Sequence, residues 1–163
     1  MPSVEKLISE EFLPLNRQTG QKIRSKKDPT DPVVILRRFL SEEGLQIIQN
    51  EARDLMIAHG RRIEEEVEGT DRSISIVATR IIEAAQGDIQ RLFSSPDLQA
   101  FLSGLSGRTL HPNAASKEGA VILQHQRLGD EHGLHEEKGF SQALNVMVHA
   151  PHAADPGGRV KYK

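Results

Sequence analysis

Two side chains in this sequence have the types and spacing to hold a metal ion. His135 and Glu137 lie in the stretch Gly129–Phe140, which reads G-D-E-H-G-L-H-E-E-K-G-F and holds two histidines, four acidic residues and three glycines. On an extended segment, residues i and i+2 point the same way. His135 and Glu137 can therefore reach one ion from one side, while Glu136 faces away. One imidazole, one carboxylate and a distant second histidine make the facial set that holds Fe(II) and leaves coordination positions open. The spacing alone has little weight. With 7 His and 23 acidic residues in 163 positions, about one His-x-acid pair is expected by chance, and one is found. On spacing alone the competing reading is a polar turn between two strands.

Other polar residues near this stretch could line a pocket. Gln124, His125 and Gln126 lie on the apolar run Ala120–Arg127, His132 lies three residues before His135, and Asn145 lies on the run Phe140–His149. A substitute ligand set could draw on His125 or His132, and a plain metal-binding module would use His125, His132, His135 and Glu137. The neutral amides read equally as the polar face of a strand. His59 and His111 read as helix-end and loop residues, and His149 and His152 as surface or loop residues. Other chemistries lack their residues. There is no cysteine, which removes thiolate metal sites, disulfides and a thiol nucleophile. The glycines at 129, 133 and 139 lack the phosphate-cradling G-x-G-x-x-G spacing. Glu136 and Glu137 are adjacent, so a strand points them apart, which does not suit a glycosidase pair.

The elements that must position these residues follow from patterning. Ser3 starts a helix to about Phe12, and residues 15–32, ending D-P-T-D-P, read as a linker. Val33–Leu36 reads as a buried strand. Ser41, Glu42 and Glu43 open a helix that His59-Gly60 closes. Arg61–Asp71 reads as a charged loop. Ser73–Thr79 alternates as a half-buried strand, with Ile74, Ile76 and Ala78 on one side. Ile81–Phe93 fits one helix face. Ser95-Pro96-Asp97 starts another helix, which Gly107 stops. Ala120–Arg127 and Phe140–His149 read as strands, and Arg159–Tyr162 begins another. Helices concentrate before residue 106 and strands after 119, which predicts an α+β fold with helices packed on a mostly antiparallel sheet. The length fits one core. The formal charge of −2 indicates neither nucleic acid nor an anionic membrane as partner. No secretory signal or membrane-spanning run is visible, so the expected location is cytoplasmic.

The frame around His135 carries more than its spacing. Gly129-Asp130, three residues, Leu134, His135, one residue, Glu137, then Phe140 and an apolar strand ending near Pro151, then Gly157-Gly158, resembles the iron(II)/2-oxoglutarate-dependent dioxygenase superfamily. The likeness is to the branch of hydroxylases and halogenases of free amino acids and small metabolites, whose members read roughly G-D-x-x-G-W-H-x-D. V-V-I-L-R-R-F-L-S-E-E and S-S-P-D-L-Q-A-F-L are similar to that branch's opening elements, so the resemblance spans about residues 32–162.

The resemblance implies a double-stranded β-helix of jelly-roll or cupin type behind N-terminal helices. It also implies Fe(II), 2-oxoglutarate as co-substrate and a small-molecule substrate. It makes His135 the first iron histidine and Glu137 the carboxylate ligand. Leu134 departs from the usual aromatic, and Glu137 from the usual aspartate. Halogenating relatives lack the carboxylate, so chloride can take its place. Its presence here favours hydroxylation. The family's second iron histidine and its 2-oxoglutarate arginine belong to late strands. After His152 the sequence has no histidine, and Arg159 is its last arginine. The chain thus resembles the first two thirds of such an enzyme, with residues 1–31 as N-terminal helix and linker and 32–163 as a dioxygenase-like domain short of its last strands. The alternative expectation is a truncated, non-catalytic relative or interaction fragment that self-associates through open sheet edges.

Overall fold

A computed structural model describes residues 3–28, 33–67, 70–111, 123–125 and 148. In this range there are five helices and a three-stranded antiparallel sheet. The helices are α1 (Arg17–Arg24), α2 (Glu42–His59), α3 (Thr79–Ala85), α4 (Asp88–Phe93) and α5 (Pro96–Ser106). The strands are β1 (Arg61–Val67), β2 (Thr70–Val77) and β3 (Leu123–His125), in the order β1-β2-β3. None of the described helices is long and apolar enough to cross a membrane. The mixture of helix and antiparallel strand matches the expectation. The expected strands at 140–149 and 159–162 lie outside the described residues, Val148 excepted.

The N-terminal segment departs from its expected form. In place of one helix from Ser3, Val4–Leu7 and Glu10–Phe12 form two 3-10 turns, and the Ser3 side chain caps neither. Tertiary bonds to residues 38–41 override the local helical pattern. Ile8 bridges Leu40. The Ser9 N–H donates to Phe39 O at 3.0 Å, the Ser41 N–H donates to Leu7 O at 2.9 Å, and Ser41 Oγ donates to Lys6 O at 2.7 Å. Leu7, Ile8, Phe12 and Leu15 thereby join one core with Phe101, Leu98 and Leu105. Three rings stack through it, Phe12 to Phe39 at 5.2 Å and Phe39 to Phe101 at 5.8 Å between centroids, within the favourable range for tilted pairs.

The stretch expected as a linker carries α1. Asn16 Oδ1 accepts from the Thr19 N–H at 2.9 Å and caps it. Helix α1 lies directly on α5 because Gly20 and Gly104 present no side chain at the crossing. A Cβ on Gly20 would stand 2.1 Å from Phe101 O, and one on Gly104 would stand 2.1 Å from Arg17 O. Arg24 Nη1 then donates to Leu105 O at 3.0 Å and Ser106 O at 2.6 Å, serving carbonyls that end α5 without helical partners. Gly107, at φ 73°, closes α5 in the left-handed region as the sequence predicts.

Helix α2 begins and ends where expected. Ser41 Oγ accepts from the Gly44 N–H at 2.9 Å, and Glu42 and Glu43 sit in the first turn. Val33–Leu36 is not a strand: Val34 and Ile35 are exposed, Ile35 at 57%. No strand pairs with this run among the described residues, and only Leu36 packs partly on the core. The expected single helix over 81–93 is two. Gln86, at φ 51°, ends α3 in the left-handed region, and Gly87 leads into α4. Glu51 of α2 holds this break. Its Oε2 accepts from the N–H groups of Asp88 at 2.6 Å and Ile89 at 3.1 Å, while Oε1 is buried without a hydrogen-bond partner.

Glu51→Ala is therefore expected to cost about 1–2 kcal/mol through two lost cap bonds. That corresponds to a fall in Tm of about 2–8 °C. Glu51→Gln retains an acceptor and is expected to lose about half as much. Thermal unfolding followed by circular dichroism checks both, and an unchanged Tm in Glu51→Ala would show that the clamp contributes nothing.

Candidate functional site

The expected charged loop over 61–71 contains β1. Its register against β2 runs from Arg61 opposite Ile76 to Val67 opposite Thr70. The charged run R-R-I-E-E-E-V lacks the alternation of a half-buried strand, and pairing with β2 holds it extended. On the other edge of β2, Ser75 stands opposite His125, Ile76 opposite Gln124 and Val77 opposite Leu123. Residues directly across a ladder share a face, and neighbours in sequence take opposite faces. Two rows thus run across the sheet. Arg62, Ser75 and His125 form one, and Arg61, Ile76 and Gln124 form the other.

The row of His125 lies on the helix side. Val77 and Leu123, which share its face, pack with the helical core, and α2 packs on β2 and β3. On this face Arg62 Nη2 donates to Ser73 Oγ at 3.1 Å, and Arg62 Nε pairs with Glu64 Oε1 at 3.2 Å. Both partners of that ion pair are solvent-exposed enough for screening to leave it a small contribution. His125 is exposed at the end of this row.

The row of Gln124 faces away from the helices. Ile74 shares that face and is fully buried, yet it stands outside the helix-side core. Ser75, on the opposite face, is only 5% exposed. Strand β2 is therefore buried at Ile74 on one face and at Ser75 and Val77 on the other, while Ile76 is half-buried and Gln124 exposed; the sequence pattern predicts burial on one face. The alternation of Ile74 and Ile76 is as expected, and what the pattern misses is the burial of Ser75 and Val77. Gln124 and His125, both expected near a pocket, diverge to opposite faces, so any single pocket in this sheet takes one of them. Ile76 stands beside Gln124, with Arg61 one strand further on, through the register alone, a relation that only the pairing of distant strands reveals.

His59 ends α2 and His111 follows α5 in an exposed segment, as expected. His135, Glu137, His132 and Asn145 lie outside the described residues. Among the described residues no group of three or more His, Asp or Glu side chains stands together to hold a metal ion.

None of the curated proteins matches this chain. The halogenase D family model matches residues 16–162, a span that includes α1 to α5, the three described strands and the His135-x-Glu137 pair, and the chain belongs to that family.

Proposed function

We propose that this protein is an iron(II)/2-oxoglutarate-dependent dioxygenase-like enzyme that oxidises a small molecule, with hydroxylation as the favoured outcome. The observation that carries the reading is the family match running through His135 and Glu137. An imidazole nitrogen and a hard carboxylate oxygen suit Fe(II) as donors, and a third ligand would leave open positions for co-substrate and dioxygen. Iron with 2-oxoglutarate supplies the oxidising chemistry when bound. The chain's part is to hold the metal through His135 and Glu137, to orient the substrate and to exclude water. The burial of Ile74 on one face of β2 and of Ser75 and Val77 on the other is compatible with a layered sheet such as a jelly-roll. Halogenation is the second reading, favoured by the family's name. The carboxylate at Glu137 weighs against it, because it would occupy the position that chloride takes in halogenating relatives.

Loading the full-length gene product with Fe(II) and 2-oxoglutarate under nitrogen is expected to give a weak visible charge-transfer band. Admitting air with a substrate panel is expected to consume 2-oxoglutarate. Absence of both the band and the consumption overturns the reading.

The two rows of the sheet make a finer prediction. On this reading the pocket lies on the face away from the helices, so Gln124 can reach it and His125 cannot. Gln124→Ala is expected to lower kcat/KM about fivefold, the worth of one lost hydrogen bond of about 1 kcal/mol. His125→Ala is expected to leave the value within about twofold. Steady-state consumption of 2-oxoglutarate by the two variants checks this, and the reverse ranking would place the pocket on the helix side.

A further inference from the structure

No further inference is drawn: the strongest candidate, the cross-strand row of Arg61, Ile76 and Gln124 on the sheet face away from α2, belongs to the site already proposed, and nothing among the described residues shows what faces it.

Discussion

Gly104→Ala is expected to destabilise the protein by about 3 kcal/mol, although alanine is the better helix former. In an exposed helix interior the exchange would stabilise by about 1 kcal/mol. Here the new methyl would stand 2.1 Å from Arg17 O and 2.9 Å from Arg17 C. Those atoms are backbone of α1, so no side-chain rotation relieves the clash. The helices must separate by more than 1 Å, at an overpacking cost of about 1–3 kcal/mol, occasionally more. Separation also loosens the contacts of Phe101, which is fully buried at the crossing. It strains the two bonds from Arg24 to the end of α5 as well. A fall in Tm of about 6–12 °C is expected for a chain of this size.

Gly20→Ala should behave alike, because its methyl would meet Phe101 O at 2.1 Å and Leu105 N at 2.8 Å. The double variant should cost less than the sum, since one separation of the helices accommodates both methyls. Denaturant unfolding of the two single variants and the double variant measures this. If Gly104→Ala is as stable as the parent, the close crossing of α1 and α5 is wrong.

That crossing was not legible in the sequence, and the reason is physical. Helix α1 reads R-Q-T-G-Q-K-I-R, with one large apolar residue and an interior glycine. Both features argue against an autonomous helix. Its stability comes from contact with α5, which no local pattern encodes. The break between α3 and α4 was hidden for a related reason. Ile81, Ile82, Ala85, Ile89, Leu92 and Phe93 keep an apolar phase through the break, while Glu51, distant in sequence, fixes where it falls. The V-V-I-L run shows the converse. Its β propensity is high, but a strand needs a partner, and none pairs with it among the described residues. What was legible were the short-range signals: Ser41 and Ser95-Pro96 as helix starts, Gly107 as a stop, and the alternation in β2. These are set by bonds within a few residues, so their residue types report them directly.

The candidate site divides along the same line. The spacing of His135 and Glu137 is at the level of chance, and the frame of glycines and apolar runs around it raises the reading. Sequence also placed Gln124 and His125 together as candidates to line one pocket, since both lie just before the turn. The pairing of β3 with β2 separates them, because register decides which face a residue takes.

Glu137 offers the larger functional test, in combination with His135. His135→Ala is expected to remove the iron–2-oxoglutarate band and lower iron affinity by more than about 100-fold, since even partners behind metal ligands contribute about 10- to 100-fold. The two oxidative outcomes then separate at Glu137. If its carboxylate is a ligand, Glu137→Ala loses iron affinity on a scale similar to His135→Ala, and the parent gives hydroxylated product with or without chloride. If the chain halogenates, chloride rather than Glu137 fills that coordination position. Glu137→Ala then keeps its iron affinity, and the parent's product gains chlorine when chloride is present. Iron titration under nitrogen reads the first difference without any need for the substrate. Mass spectrometry of turnover mixtures with chloride and with bromide reads the second, because the halogen labels the product by mass. Retained iron affinity in both His135→Ala and Glu137→Ala would sink the metal assignment itself. Retention in Glu137→Ala alone would leave the family role intact and transfer the reaction from hydroxylation to halogenation.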